Sequence, residues 1–202
     1  RELAYGHLRD LAARTHATNS YLWIDMEQSP YVDVTLSLTK RLREEFPRVG
    51  VCLQAYLFRT REDLEDLTAR GIGVRLVKGA YAEPATVAFP RKSDVDANYL
   101  ALAQVMLGAA ARAAGSRAVF GTHDLSLIES IRAHARTNGV KPSEFEVHML
   151  YGIQKPAQLR LVHDGVQVRV LIAYGDYWFP WYMRRLAERP ANVWFVAKSL
   201  FG

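Results

Sequence analysis

The chain has 202 residues, of which half are hydrophobic and 23% are charged, so it fits a globular domain with a substantial core and excludes a disordered or fibrous chain. Its formal net charge is +5, but the Lys and Arg residues are interspersed among 21 acidic ones, which does not favour a nucleic-acid partner. No stretch approaches the roughly 20 apolar residues of a membrane-spanning helix, so any contact with a membrane is expected to be peripheral. Cys52 is the only cysteine, which excludes an internal disulfide and favours a reducing, cytoplasmic location.

Helix-like and strand-like stretches alternate along the chain. In chain order they are a helix over residues 2–15, a strand over 21–26, a helix over 31–45, a strand over 49–57, a helix over 60–70, a strand over 73–78, a helix over 95–114, a strand over 118–122, a helix over 125–138, a strand over 145–150, a helix over 155–163, a strand over 167–173, a helix over 177–188 and a further strand candidate over 192–197. The connections are too long for hairpins, so the pattern predicts a parallel sheet covered by helices.

Two architectures have this alternation, and the placement of polar residues separates them. A doubly wound sheet would show a glycine fingerprint after its first strand, and none occurs here. Polar residues instead lie at or just past the ends of successive strands: Asp25, Glu27, Gln54, Arg75, Lys78, Thr122, His123, Asp124 and His148. This distribution favours an α/β fold of the distorted (β/α)8 TIM-barrel type, with its functional groups at the carboxyl ends of the strands.

The strand count is too low for a complete barrel, which typically takes about 250 residues. Six strands and one further candidate are present, and the chain begins at Arg1 within a helical pattern. We therefore expect residues 1–202 to form one barrel domain that is N-terminally incomplete, lacking the N-terminal helices and the first strand.

The run from Arg75 to Gly79 places two cations at the end of an apolar strand, just before a glycine turn. Burying Arg75 and Lys78 without partners would be costly, so either carboxylates of the fold or a bound anion must face them. A glycine at this point allows backbone N–H groups to approach a ligand.

Each polar strand-end residue also has a purely structural interpretation. For Asp25, a structural role as a helix cap or as a partner for a neighbouring Arg is as compatible with the sequence as a functional role, and Asp124 is expected to cap the helix that follows it. Lys78 is compatible with a solvated position. His123 and His148 lack Cys or carboxylate neighbours at metal-binding spacing, so no metal site is predicted.

Residues 177–188 combine several aromatic side chains with two arginines and an acid. Glu188 is four residues from Arg184 and three from Arg185, so one helical face can hold the acid between the two guanidinium groups. Spacing alone favours a surface salt-bridge helix. The aromatic residues before it favour a clamp that binds a small carboxylate bidentately and shields its apolar part.

Six short motifs occur in order over almost the whole chain, from about residue 21 onward. They are Asp25-Met26-Glu27, Gln54-Ala55-Tyr56, Arg75-Leu76-Val77-Lys78-Gly79-Ala80-Tyr81, Thr122-His123, Met149-Leu150-Tyr151-Gly152 and Arg184-Arg185-Leu186-Ala187-Glu188. This series resembles that of the proline dehydrogenase family, both the monofunctional bacterial type and the corresponding domain of proline utilization A.

The resemblance implies an FAD-containing distorted barrel that oxidises L-proline to 1-pyrroline-5-carboxylate and passes electrons to a membrane quinone. In this family's pattern Asp25 and Arg75 are catalytic, with Arg75 near the reactive side of the flavin. The remaining roles carried over are FAD binding by Met26, Gln54, Lys78, Gly79, Ala80, Thr122 and His123, and substrate binding by Leu150, Arg184, Arg185 and Glu188. A pyrroline-5-carboxylate dehydrogenase is an expected partner, and the expected location is the cytoplasm, with peripheral contact at the inner face of the membrane.

The chain departs from the family pattern at three positions. Leu171 and Trp181 stand where the family usually has Tyr, and His148 stands where Gln is usual. The altered pocket polarity leaves 4-hydroxyproline or another cyclic imino acid as an alternative substrate. Two other classes also remain: a barrel lyase in which Lys78 forms a Schiff base, and a barrel that binds an anion without catalysis.

Overall fold

The computed structural model describes residues 1–177, which form alternating helices and parallel strands. The elements are α1 (Glu2–Ala17), β1 (Leu22–Ile24), α2 (Val32–Glu45), β2 (Val49–Gln54), α3 (Thr60–Ala69), β3 (Gly73–Val77), α4 (Lys92–Met106), α5 (Ala109–Ala113), β4 (Ala118–Gly121), α6 (Leu125–Thr137), β5 (Phe145–Leu150), α7 (Lys155–His163) and β6 (Gln167–Leu171), with 3-10 turns at Ser29–Tyr31 and Pro142–Glu144. The predicted helix over 177–188 and strand candidate over 192–197 lie outside the described residues, apart from Tyr177.

The six strands form one sheet in which spatial order equals chain order and every pair is parallel. The predicted parallel sheet is therefore confirmed. Trp23 on β1 and His148 on β5 have ring centroids 6.0 Å apart, although three strands lie between them. In a flat sheet these strands would be about 19 Å apart, since neighbouring strands are separated by about 4.8 Å. The sheet is thus strongly curved and forms a half-barrel.

The two faces of the half-barrel differ in chemistry. The convex face is apolar, and residues such as Val51, Leu76 and Phe120 are buried with helix side chains in the main core. The alternate strand positions point to the concave face and include Trp23, Arg75, Glu146 and other polar or aromatic residues. Packing against the helices therefore explains the apolar residues of the convex face, whereas the concave face carries polar groups that could take part in binding or catalysis.

The helix predicted over 95–114 is two helices in the structure. Helix α4 begins earlier, at Lys92, and ends at Met106, and α5 follows from Ala109. Gly108 between them has an extended backbone, with φ −63° and ψ 154°. An extended residue cannot continue the i→i−4 hydrogen-bond ladder, so the uniform apolar spacing across this region concealed a break.

Gly50 on β2 lies where the backbone of β3 and the side chains of β1 approach it closely. A Cβ added there would lie 2.6 Å from the carbonyl oxygen of Gly73 and 2.7 Å from Trp23 Cζ3. We expect Gly50→Ala to destabilise the fold by roughly 1–3 kcal/mol through overpacking. The matched control is Gly6→Ala on α1, where a Cβ meets nothing within 4 Å; it should stabilise the helix by about 0.5–1 kcal/mol. Chemical denaturation of both variants measures the difference, and equal stabilities would contradict the packing argument.

None of the helices within residues 1–177 combines the length and apolar character that crossing a bilayer demands. Strands β1 and β6 are the two edges of the sheet in this part of the chain.

Candidate active site

The parallel strands bring the predicted site residues to one edge of the half-barrel. Asp25 and Lys78 directly follow β1 and β3, Gln54 is the last residue of β2, Thr122 directly follows β4, and Leu150 ends β5. Because all strands point the same way, these residues lie along a single rim. The predicted convergence of polar groups at the carboxyl ends of the strands is therefore present.

Arg75 and Asp25 form an ion pair at this rim. The Arg75 guanidinium is in a side chain that is only 11% exposed, and its Nη2 donates a hydrogen bond to Oδ1 of Asp25, whose side chain is 71% exposed. Burial lowers the pKa of Arg75 from its ordinary value. Of the two structural interpretations of Asp25, partner of an Arg is the one observed. The pair presents a solvent-accessible carboxylate attached to a largely buried cation.

Lys78 also has carboxylate partners. Its Nζ lies 2.6 Å from Asp96 Oδ1 and 2.7 Å from Asp124 Oδ2. Asp124 in addition accepts hydrogen bonds from the first backbone N–H groups of α6, so the predicted helix cap is confirmed. The hydrogen bond from Lys78 lowers the pKa of Asp124. The expectation that both cations require anions is confirmed, with protein carboxylates as the partners.

Asp96 was not anticipated as a partner of Lys78. Burial raises its pKa, but hydrogen bonds from Lys78 and from Lys92 outweigh this and lower it overall. Lys92 and Asp96 are four residues apart on α4, so their helical spacing predicts this pair, whereas no local pattern in the sequence indicates the contact of Asp96 with Lys78.

Gln54 and Met26 connect the ends of β1 and β2. Gln54 is 3% exposed, and its Nε2 donates a hydrogen bond of 3.3 Å to the Met26 carbonyl. Its Oε1 is buried and accepts no hydrogen bond from any side chain or backbone group of residues 1–177. An unsatisfied buried acceptor is unfavourable by roughly 1–3 kcal/mol, so a donor from a ligand would be stabilising at this atom.

Gly79 turns the chain directly above the ring of Tyr56. Its φ is +121°, and a Cβ there would lie 2.4 Å from Tyr56 Cδ1, so only glycine fits. Ala80 follows it and is half-buried. The glycine predicted to permit close backbone approach is thus required by its conformation.

The loop after Gly79 is fastened to the loop after β1. Glu83 accepts hydrogen bonds from the Ser29 backbone N–H at 2.7 Å and from the Ser29 hydroxyl at 2.6 Å. Tyr81 donates its hydroxyl hydrogen bond to Glu27. These contacts between two rim loops were not predicted, because nothing in the local sequence pairs residues 54 positions apart.

Thr122 and His123 follow β4, and His123 connects the end of β4 with the end of β5. The Thr122 hydroxyl accepts a hydrogen bond from the Asp124 N–H at 3.1 Å, and His123 Nε2 accepts one from the Leu150 N–H at 2.9 Å. Burial lowers the pKa of His123. An accepting Nε2 requires the neutral ring with its proton on Nδ1, so His123 offers one further N–H donor.

Beneath the rim, the concave face carries a set of contacting aromatic and charged side chains, of which sequence reasoning singled out His148 alone. We call it the concave cluster, and it consists of Tyr21, Trp23, Arg117, Glu146, His148 and Arg169. The signal was the alternation of Tyr21, Trp23 and Asp25 along one strand, which directs three large or polar groups to the same face.

Three predicted substrate-binding residues, Arg184, Arg185 and Glu188, lie outside the described residues, as does Trp181. Leu171 ends β6 and is 36% exposed. Within residues 1–177, no three His, Cys, Asp or Glu side chains are grouped so that they could hold a metal ion.

Comparison with known proteins finds a family model and curated relatives that all carry the same family name. The family model described as proline dehydrogenase matches residues 3–198. "Proline dehydrogenase 2" of Bacillus subtilis subsp. natto is 38% identical over 199 residues, covering 98% of this chain and 64% of the relative. "Proline dehydrogenase" of Deinococcus radiodurans is 37% identical over 201 residues, covering 98% of this chain and 63% of the relative. The chain thus spans slightly less than two thirds of the length of these curated relatives.

Solved structures show the same likeness. Proline utilization A from Bdellovibrio bacteriovorus, inactivated by N-propargylglycine, superposes with a TM-score of 0.82 at 26% identity, covering 92% of this chain and 21% of that one. The Bradyrhizobium japonicum protein, as its D779Y mutant, superposes with a TM-score of 0.78 at 27% identity, covering 96% and 22%. Fold, family model and relatives agree, and the chain belongs to the proline dehydrogenase family.

Proposed function

We propose that the protein oxidises L-proline to 1-pyrroline-5-carboxylate with FAD as cofactor and a quinone as electron acceptor, the first step of proline catabolism. The observation that carries this proposal is the Asp25–Arg75 pair, in which a largely buried guanidinium lies at the strand ends next to an accessible carboxylate. Such a fixed cation stabilises negative charge that develops beside it. Family membership supports the same reaction.

The residues at the rim fit a flavin. Gln54 Oε1, which accepts no hydrogen bond within residues 1–177, is a buried acceptor for a ring N–H, and the His123 Nδ1–H is a donor. At Gly79 the chain turns with a positive φ beside the Tyr56 ring, where no side chain fits. Met26, Lys78, Ala80 and Thr122 are proposed to complete the FAD site. When bound, the flavin would supply the hydride acceptor, which no amino-acid side chain provides.

The chain's own contribution is orientation. Arg184 and Arg185 are proposed to bind the proline carboxylate, with Glu188 holding one of them and Leu150 packing on the ring. Fixing the carboxylate and the ring together sets the reacting C–H bond at near-attack distance and excludes water from it. Inactivation of the Bdellovibrio bacteriovorus relative by N-propargylglycine, an N-substituted amino acid, supports a site for secondary amines.

We expect Arg184→Met or Arg185→Met to raise the proline KM by about 10- to 100-fold, because a charge-assisted hydrogen bond to a carboxylate contributes roughly 1.5–3 kcal/mol. FAD content, measured by visible absorbance, should not change. Arg160→Met, an exposed substitution on α7, is the matched control. An unchanged KM in both Arg184→Met and Arg185→Met would rule out that these arginines bind the proline carboxylate.

The visible spectrum of the purified, FAD-loaded protein tests the proposal as a whole. Flavin bands that L-proline bleaches would support cofactor and substrate together, and 4-hydroxyproline in a parallel cuvette compares the alternative substrate that Leu171 leaves open. A protein that takes up FAD but is not bleached by either compound would contradict the proposal and favour a non-catalytic barrel.

The Schiff-base alternative fits the structure less well. A nucleophilic lysine needs a desolvated or cation-rich environment that yields the free amine. Lys78 instead lies in an acidic environment, with Nζ 2.6 Å from Asp96 Oδ1 and 2.7 Å from Asp124 Oδ2. Borohydride trapping with a carbonyl substrate would separate the two chemistries.

We further propose that residues 1–202 belong to one domain, and that this domain is a complete (β/α)8 barrel. The barrel would have an additional strand beside β1. The protein is proposed to act in the cytoplasm and to contact the inner face of the membrane where the quinone resides. A pyrroline-5-carboxylate dehydrogenase would consume the product.

A further inference from the structure

Trp23 is the member of the concave cluster that reaches the candidate active site. Its ring lies 4.7 Å from that of Tyr21 and 6.0 Å from that of His148, measured between centroids. On the rim side, Arg75 Cζ lies 5.9 Å from the Trp23 centroid, within the range of a cation–π contact. Trp23 therefore lies between the catalytic cation and the rest of the cluster.

The position of Trp23 is fixed from below. His148, whose ring meets the indole edge-on at 86°, has Nε2 3.1 Å from Glu146 Oε2. Glu146 accepts hydrogen bonds from Arg117 Nε at 2.6 Å and Arg169 Nε at 2.7 Å. These contacts connect three strands and leave the indole little freedom to rotate.

The neighbouring backbone also accommodates these rings. A Cβ at Gly50 would lie 2.7 Å from Trp23 Cζ3, and a Cβ at Gly73 would lie 2.3 Å from the Tyr21 hydroxyl oxygen. Glycine within a strand is destabilising by roughly 0.5–1 kcal/mol relative to alanine. Strands β2 and β3 thus carry unfavourable glycines at the places where the rings of Trp23 and Tyr21 lie.

Among residues 1–177, the polar end of the Arg75 side chain has one ion-pair partner. Within the described part of the chain, its guanidinium donates to Asp25, and the side chain of Asp25 is 71% exposed. A solvent-exposed ion-pair partner contributes little on its own to fixing the guanidinium. The Trp23 ring, 5.9 Å from Arg75 Cζ, supplies a second contact inside the protein.

We propose that Trp23 is a positioning residue for Arg75: the indole, held by His148 and Glu146, fixes the guanidinium at the rim where the flavin is proposed to bind. The inference rests on the proposed function for the statement that Arg75 meets the cofactor. It extends that function to a residue of β1 that lies two positions before Asp25.

The test is the two-electron midpoint potential of the FAD-loaded protein. A well-placed cation stabilises the negative charge that the flavin gains on reduction. Trp23→Leu should therefore decrease the equilibrium constant for flavin reduction about tenfold, which lowers the midpoint potential by about 30 mV. Trp23→Phe keeps a ring of weaker cation–π strength and should lower it less. Trp23→Phe also keeps the test available if the leucine variant does not fold.

Phe120→Leu is the matched control, because Phe120 is fully buried on the convex face, away from Arg75. It should lower the melting temperature comparably and leave the potential unchanged. If Phe120→Leu lowers the potential as much as Trp23→Leu does, the effect is general destabilisation and the inference is overturned.

Combining Trp23→Leu with Arg75→Met identifies the route of the effect. If Trp23 acts through Arg75, the double variant has the same potential as Arg75→Met alone. Additive shifts would overturn the inference. A lowered potential in Arg75→Met with no change in Trp23→Leu would refute the positioning role alone, whereas an unchanged potential in Arg75→Met would refute the proposed contact of Arg75 with the flavin.

A flavin-free measurement keeps the two proposals distinguishable. In the NMR spectrum of the apoprotein, the Arg75 Nε–H signal is identified by its loss in Arg75→Met. Removing the neighbouring indole in Trp23→Leu should shift this signal, whereas Phe120→Leu should leave it in place. An Arg75 signal that is the same in the parent protein and in Trp23→Leu contradicts the contact itself.

Discussion

Arg75→Met is expected to lower the proline turnover number by about 100- to 1,000-fold, the usual consequence of removing one preorganised electrostatic group from an active site. The guanidinium lies at the rim and against an accessible carboxylate. The substitution leaves Asp25 solvated, since its side chain is 71% exposed, so the fold should be retained. Steady-state kinetics with proline, together with far-ultraviolet circular dichroism, measures both properties.

Arg61→Met is the control for this loss. Arg61 lies on α3 with a side chain that is 56% exposed and pairs with Glu65 one helical turn away. Its removal should leave the turnover number unchanged. A turnover number in Arg75→Met within twofold of the parent would rule out the assigned electrostatic role.

Glu146→Gln is expected to have the largest effect on stability. Glu146 is 4% exposed and contacts Arg117, Arg169 and His148. Although burial raises its pKa, the hydrogen bonds from these three side chains outweigh it and lower the pKa to about 2. This depression from 4.5 corresponds to about 3 kcal/mol of stabilisation at neutral pH, and removing the charge would also leave two arginines without their anion.

The same group sets an acid dependence. Because its pKa is lower in the folded chain than in the unfolded chain, the unfolded state binds the proton first as the pH falls. The stabilisation is complete above about pH 4.5 and is lost as the pH decreases towards about 2. Glu146→Gln should therefore reduce the free energy of unfolding at pH 7 and flatten its decline below pH 5, as measured by urea denaturation across that range.

Glu129→Gln provides the comparison for Glu146. Glu129 is 58% exposed and pairs with Arg132 on the same helix, a kind of ion pair that contributes less than about 1 kcal/mol. Its stability curve should follow that of the parent at every pH. If both variants behave alike, the buried cluster is not the source of the acid sensitivity.

The order and type of the elements could be predicted from the sequence because burial on the convex face requires apolar side chains at regular spacing. Residues 145–150 and 155–163 match β5 and α7 in full. The break at Gly108 could not be predicted, because Ala-rich spacing continues across it and the backbone angle of one glycine decides the outcome.

For the site, the sequence identified which residues lie at the rim but not which of them contact each other. Placement at strand ends follows from parallel pairing, so Asp25, Gln54 and Lys78 were found. The contact of Lys78 with Asp96 depends on how α4 packs over β3, which is a tertiary feature without a local pattern. Trp23 was missed for a similar reason, since only the curvature of the sheet brings it near His148.

The equality of spatial and chain order in the sheet has a consequence for synthesis. Each strand pairs with the one that was translated just before it, so a nascent chain can add βα units one at a time without waiting for distant segments. Such local pairing keeps the sequence separation of contacts short, which favours rapid growth of the structure. The growing edge nevertheless exposes an unpaired strand at every stage, so ribosome-associated chaperones would find their substrate at that edge.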